Sequence, residues 1–381
     1  MSDFAERVTR KNSNNETDLP LTISSKDGLV DQISYFNKTV ASKDMSGYYL
    51  LRNGEYAYNK SYSVGYDFGS IKRLDRYPMG ELSTLYICFA LKKHDTDFIK
   101  VYFDSLKWYK EIYMISAEGA RNHGLLNVPT DEFFATKHYL PENTAEQRKV
   151  ADFLIALDRR IDAQQSLVVN LKKYKRGVVR TLLTPYSCCI ADATWTTAKI
   201  GDLGSFTKGA PLSKADIAPD GTPFILYGEL YTTYHEVINA VIRRTKAQPE
   251  KQYYSRVGDV VIPTSGETPE EISTAACVML PDIILAGDLN IFRSSKIDGR
   301  IMSYILNHIV NGQIARIAQG KSVVHIQASE LSKIEISYPD YNTQRKMFKI
   351  FDALNTRTEI AQKKLMALRC MQKALLQQLF M

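Results

Sequence analysis

Residues 147–183, QRKVADFLIALDRRIDAQQSLVVNLKKYKRGVVRTLL, return 197 positions later as residues 344–380, QRKMFKIFDALNTRTEIAQKKLMALRCMQKALLQQLF, without a gap. Gln147-Arg148-Lys149 falls on Gln344-Arg345-Lys346, and Ala156-Leu157 on Ala353-Leu354. Arg160, Gln165, Leu171 and Leu182 fall on Arg357, Gln362, Leu368 and Leu379. A period of about 200 residues is too long for a stacked solenoid. It means a duplicated unit of one domain plus one helix.

Within the first copy, Val150, Leu154, Leu157, Ile161, Val168, Leu171, Val178 and Leu182 are spaced by threes and fours, with interruptions at Gln164 and Lys175. The second copy sets Met347, Phe351, Leu354, Ala361, Leu365, Leu368, Leu375 and Leu379 in the same register, interrupted at Thr358 and Gln372. A mean spacing of about 3.5 residues is a coiled-coil seam, narrower than the stripe of a helix lying on a globular core. Each helix is expected to span roughly 55 Å at 1.5 Å per residue. The two can bury their seams on each other. The alternative, each helix packing only on its own domain, leaves the matched register unexplained.

No apolar run has the length of a membrane span. The polar start MSDFAERVTRKN has no apolar signal core. Cys88, Cys188, Cys189, Cys277 and Cys370 are odd in number and lack metal-ligand spacing, which fits reduced thiols in a cytoplasmic protein. A net charge of +7 and a pI near 8.9 permit a polyanionic partner without requiring one.

Residues 1–141 read as a mixed domain of short strands. Residues 19–24, 47–52, 56–58 and 85–91 have strand character, Asn53-Gly54 is a turn, and residues 97–113 show helical spacing. Residues 142–184 carry the first helix, with Thr144 as cap and Gln147 completing a capping box. Residues 185–194 form a hinge, 195–340 a second domain and 341–381 the second helix. The second domain echoes the first in order: 200–209 resembles 3–11, 256–262 resembles 52–58, 287–292 resembles 80–85, and 326–339 ends like 128–141. The fold class is therefore α+β, two globular domains each followed by a long helix.

No sequence motif marks a catalytic centre. Residues 315–322, ARIAQGKS, approach the phosphate-binding pattern GxxxxGK[ST], but Ala315 replaces the first glycine and the residues that follow read as strand rather than helix. His94, His123, His138, His235, His308 and His325 lack i, i+4 metal spacing, and Glu267, Glu270 and Glu271 read as an exposed acidic loop. What remains is polar loops at matching places in the two domains. In the first these are Arg7, Arg10, Lys11, Asn59, Lys60, Ser61, Tyr62, Arg121, Asn122 and His123. In the second they are Lys208, Tyr227, Glu229, Thr264, Ser265, Lys321 and Ser322. Arg, Lys and Asn reach base edges while Lys, Ser and Thr hold phosphates, so these are the candidate DNA contacts. Solvated surface is the alternative for each.

The architecture resembles the specificity (S) subunit of type I restriction-modification enzymes over essentially the whole chain. The residues that carry the resemblance are Gln147-Arg148-Lys149 and Gln344-Arg345-Lys346 with their helices, and Ile200-Gly201-Asp202-Leu203-Gly204 opening the second domain. Lys60-Ser61 and residues 82–89 also look like first-domain sequence of that family. The resemblance implies two target recognition domains, 1–141 and 195–340, each reading half of a split double-stranded DNA target. It implies an antiparallel coiled coil of the two helices as spacer. The implied partners are two methyltransferase (M) and two restriction (R) subunits, in a phage-defence complex that is both a site-specific deoxyribonuclease and an adenine methyltransferase. That complex uses S-adenosylmethionine, ATP and Mg2+ through its other subunits, and none is expected on this non-catalytic, cytoplasmic chain. One departure stands out. The family's Trp-containing lead-in, like residues 195–200, is not present before Asp3-Phe4, so the first domain is expected to lack an edge strand.

Two rival classes remain open at this stage. One is a single-chain nuclease or methyltransferase, against which the missing motifs speak. The other is a coiled-coil scaffold that reads no DNA, or a recombined, silent S-subunit cassette.

Overall fold

The computed structural model describes residues 1–38, 45–116, 126–185, 193–318 and 324–380. Arg121, Asn122, His123, Lys321, Ser322, Cys188 and Cys189 lie outside the described residues. The chain divides into two units, Met1–Gln165 with Lys363–Met381, and Ser166–Gln362. The division cuts both long helices, Thr144–Leu182 and Tyr341–Leu379. Gln165 and Gln362, where it falls, are equivalent positions of the repeat.

In the first unit the main sheet runs Ala5–Arg7, Ile87–Leu91, Tyr56–Asn59, Ser70–Arg73, all antiparallel. In the second it runs Gly204–Lys208, Leu289–Ser294, Asp259–Pro263, Ala276–Val278, Val237–Ile238. The first three strands of each sheet correspond in order and register. Arg7 lies opposite Phe89, which lies opposite Tyr56. Phe206 lies opposite Phe292, which lies opposite Val260. Two of the sequence echoes, 3–11 with 200–209 and 52–58 with 256–262, therefore fall in true structural register.

A third echo does not. Matching 80–85 to 287–292 sets Leu85 on Phe292, but the sheet sets Phe89 there. Met79–Leu82 instead pairs with Tyr49–Arg52 in a separate ribbon, and Leu85 is exposed. A shared Gly-acid-Leu triplet had imitated homology. Residues 97–113 also form two helices rather than one, Thr96–Asp104 and Tyr109–Ile115, broken where Leu106 takes φ +62°.

The cores differ in chemistry. The first is aromatic: Tyr56 stacks on Phe89 with centroids 5.3 Å apart, and Tyr58 on Phe133 at 5.1 Å. The second is built mainly from Ile, Leu and Val around Phe292 and Tyr304. This explains why the sequences drift apart while the strand order persists.

Each long helix is joined to its domain by the same glutamine. Gln147 is fully buried; its Oε1 accepts the Asp95 amide at 2.8 Å, and its Nε2 donates to the Pro141 carbonyl and to His94 Nδ1. Gln344 is equally buried; its Oε1 accepts the Asp298 amide at 2.9 Å and its Nε2 donates to the Pro339 carbonyl at 2.7 Å. Asp95 and Asp298 in turn cap Thr96–Asp104 and Gly299–His308. So Gln147 does not complete a capping box at Thr144. Asn143 caps the first helix through the Ala145 amide, and its repeat equivalent Asp340 caps the second through Thr343. A short polar side chain one residue earlier reaches the free amides, and the glutamine is released to lock the joint. Gln147→Ala and Gln344→Ala should each lower unfolding free energy by roughly 1–3 kcal/mol, because a buried amide loses its acceptor. Urea denaturation checks this, and an unchanged midpoint would remove the joint from the account.

The two helices run antiparallel. In the first unit Gln372 donates to Asp158 and Arg369 donates to Gln165 at 2.5 Å, so numbering rises along one helix as it falls along the other. Leu154, Leu157, Ile161 and Leu365 are buried there, with Val150, Leu368 and Leu375 half-buried. In the second unit Val168, Leu171, Leu182, Met347, Phe351 and Ala361 are buried, with Val178 and Leu354 half-buried. Val179, not Val178, is fully enclosed, because it joins Leu182, Leu183, Met347 and Phe351 in the core of the second domain. There the helix lies on a globular surface and needs the wider stripe. Leu379 is exposed.

Candidate nucleic-acid interface

An open cleft of about 1200 Å³ lies in the second unit. Its floor is made by strand ends. Lys208 closes the strand Gly204–Lys208 and sits opposite Asn290, to whose Oδ1 its ammonium donates at 2.8 Å. Thr264 Oγ1 stands 3.5 Å from the same ammonium. Burial lowers the lysine pKa from its ordinary range, with Asp288 opposing the shift. Gly209 turns the chain directly above: a Cβ there would meet the Gly287 carbonyl oxygen at 2.8 Å, so only glycine allows this approach.

One wall follows the strand Thr222–Leu226, which pairs with Arg243–Thr245 on one side and Ile284–Ala286 on the other. Tyr227 and Glu229 come just after it and line the cleft with Tyr231 and Thr232. Glu229 is buried; its Oε1 accepts Arg243 Nε at 2.9 Å and its Oε2 accepts the Leu226 amide at 3.4 Å. Ser265 is buried as well and donates to Asp288 Oδ2 at 2.8 Å. Glu229 and Ser265 thus act as braces, which hold Arg243 and Asp288 at the rim. Glu271 is not a free acid either, since it accepts the Glu267 and Thr268 amides and completes a capping box with Thr268.

The sequence reading missed Arg243, Tyr231 and Thr232. Arg243 reaches the cleft only because it pairs opposite Phe224, a contact with no local spacing signal. The result is a mixed surface of amine, guanidinium, hydroxyl and carboxylate groups. It resembles the donor and acceptor pattern that base edges require more than a phosphate track.

In the first unit Lys60 and Ser61 follow the strand Tyr56–Asn59 as Thr264 and Ser265 follow Asp259–Pro263. Asn59 Oδ1 accepts the Ser61 amide at 3.0 Å and shapes the start of the loop. Tyr62 and Val64 are exposed at its tip, 57% and 91%, beside Gly65 at φ +82°. Arg7 is exposed at the end of its strand. Lys11 lies 3.9 Å over the Tyr49 ring and donates to the Gly47 carbonyl. Arg10 pairs with Glu55 at 2.8–2.9 Å, with its side chain one third exposed. Its counterpart is the pair Arg293–Asp259, with Asp259 and Glu55 each also accepting the amide three residues earlier.

Residues 193–369 match the family described as the type I restriction modification DNA specificity domain. This segment is a type I DNA specificity domain. It contains the cleft and its braces. No curated protein sequence matches the chain. Among solved structures, the chain is similar to one determined in work on complex assembly and conformational transition of the type I R-M system, at 16% identity and TM-score 0.60, over 99% of this chain and 97% of that one. It is also similar to the type I restriction-modification S subunit from M. genitalium, at 15% identity and TM-score 0.57, over 100% of this chain and 94% of that one. At such identities the likeness establishes the fold. That likeness in fold covers both units. Among the described residues, no helix is long and apolar enough to cross a membrane.

Proposed function

We propose that this chain is the DNA-reading subunit of a type I restriction-modification complex. Each globular domain reads one half of a bipartite target, and the paired helices set the spacer and dock two methyltransferase subunits, with two restriction subunits completing the assembly. The observation that carries this reading is the cleft of Lys208, Tyr227, Thr264 and Arg243 inside the specificity domain. The repeated glutamine joint supports a second reader built the same way. S-adenosylmethionine, ATP and Mg2+ belong to the partner subunits, and the complex works in the cytoplasm. Methylome sequencing of cells co-expressing the chain with a cognate methyltransferase subunit tests the proposal. The expected result is a new methylated adenine motif split by a fixed gap. A stable complex without new methylation would overturn it in favour of a silent cassette, and no complex would favour a scaffold.

Within that reading, Lys208→Ala should weaken target binding by the assembled methyltransferase about tenfold and lower its salt slope by about one, if the ammonium meets a phosphate. An unchanged slope with relaxed sequence preference would move Lys208 to base reading. Titrations at several salt concentrations separate the two.

A further inference from the structure

Two neighbouring arginines in the second unit use their nitrogens differently. The strand Arg243–Thr245 is the outer strand of a three-stranded sheet, beside Thr222–Leu226. Successive residues of a strand face opposite sides. Arg243 lines the cleft and Arg244 does not. Arg244 donates from Nη1 to the Gly221 carbonyl at 2.8 Å. Arg243 engages only its Nε, which donates to Glu229 Oε1 at 2.9 Å. Among the described residues, its Nη1 and Nη2 have no partner. The Arg243 side chain is 47% exposed, against 10% for Glu229.

The stem that carries this free end is held from several sides. The Ile242 amide donates to the Tyr234 hydroxyl at 3.2 Å, and the Ala218 amide donates to the Arg244 carbonyl at 2.8 Å. Glu229 is buried, and its second oxygen accepts the Leu226 amide at 3.4 Å, so the carboxylate that grips Nε is itself fixed. What reaches the cleft is a planar pair of N–H donors. Such a fork matches two kinds of partner, the O6 and N7 acceptors of a guanine edge or two oxygens of a phosphate. The charge of the cleft separates them. The carboxylates of Glu229, Glu267, Glu271 and Asp288 outnumber the cations Lys208, Lys214 and Arg243 along its lining. That balance disfavours a phosphate track and leaves a neutral base edge as the better match.

We propose that Arg243 is a specificity residue of the second domain, whose terminal nitrogens read the O6 and N7 atoms of one guanine in the half-site that this domain recognises. The proposal rests on the DNA-reading assignment above and adds a base to it. Glu229 is a positioning residue: it orients the plane of the guanidinium and offsets its charge. Only guanine offers two acceptors to such a fork in the major groove. Adenine sets an amino donor beside N7, cytosine offers an amino donor, and thymine offers one acceptor beside a methyl group. A bidentate contact of this kind discriminates about tenfold to a hundredfold against the wrong base.

The test uses the full chain assembled with its cognate methyltransferase subunit. Methylome sequencing of the unaltered complex comes first, and exchange of residues 195–340 identifies the half-motif that the second domain reads. That half is expected to contain a G·C pair. No split motif would sink the DNA-reading assignment and the base with it, whereas a split motif with only A·T pairs in that half would sink the guanine alone. Arg243→Ala and Arg243→Lys should then accept any base pair at one G·C position and keep every other position. Lysine leaves a cation beside the buried Glu229, which covers the case in which alanine destabilises the domain. Competition among oligonucleotides with each of the four bases at that position should show the guanine preference falling at least about tenfold. Arg244→Ala, one residue along the strand, should leave the motif as it was. An unchanged motif in both Arg243 variants would overturn the proposal. So would equal weakening on all four oligonucleotides with a reduced salt slope, the mark of a phosphate contact.

Discussion

Glu236→Ala is expected to cost the second unit roughly 3–5 kcal/mol, the range for removing one partner of a buried ion pair. Glu236 accepts from Lys175 Nζ at 2.8 Å and lies 2.7 Å from His308 Nε2, with Tyr304 packed beside both. Lys175 is one of the two residues that interrupt the first helix's seam, and this cluster fastens the helix to the domain. Alanine leaves the ammonium of Lys175, whose side chain is only 15% exposed, without its carboxylate. Glu236→Leu with Lys175→Met should recover much of the loss, since well-packed apolar groups commonly replace a buried pair without penalty. A double-mutant cycle in urea measures the coupling. Additive losses would show that the two residues do not act together.

The same cluster sets a pH dependence. Burial alone would raise the Glu236 pKa, but the hydrogen bond with His308 and the charge of Lys175 overcome it and hold the carboxyl at about 2. The folded pKa is thus depressed below the ordinary glutamate value of about 4.3. Its contribution is full above that value and is lost as pH falls through the window from about 4 to about 2. The Glu236→Ala protein should show a shallower loss of stability across that window, read from denaturation midpoints against pH.

Where the sequence was legible, the reason was local. A helical seam repeats every few residues, so both helices and their pairing were visible in the spacing of Leu154, Leu157, Ile161 and their counterparts. Strand echoes at Asn53-Gly54 and Val257-Gly258 were legible because a turn demands glycine at positive φ, +86° and +94° here. The reading failed where partners are distant in sequence. Nothing near Gln147 announces Asp95, and nothing near Glu229 announces Arg243. For the same reason Arg10, Glu229 and Ser265 looked like free polar residues. A carboxylate or guanidinium that braces a loop and one that meets a ligand have identical sequence signatures, and only the fold shows which partner each one holds. The Gly80 and Gly287 triplets misled because three residues match too easily by chance when strand order is unknown.

The second large effect concerns the helices, and it rests on the proposed function. Seven residues inserted into each helix, after Gln165 and after Gln362, should change the gap in the recognised motif and leave both halves of it intact. Seven residues preserve the seam, because the apolar pattern repeats with that period. A shift of four in one helix alone would set Leu157 and Ile161 against the wrong partners. The insertion lengthens each helix by about 10 Å and turns it by only about 20°. A base pair advances by about 3.4 Å and turns by about 34°. Length alone asks for about three added base pairs, whereas rotation asks for none. DNA twist and bending must absorb the difference, at a cost of a few kcal/mol. The expected gap is therefore longer by one to three base pairs, with weaker binding overall. Methylome sequencing of the insertion variant reads it directly. A motif with an unchanged gap would show that the helices are struts for partner docking and not the element that measures DNA.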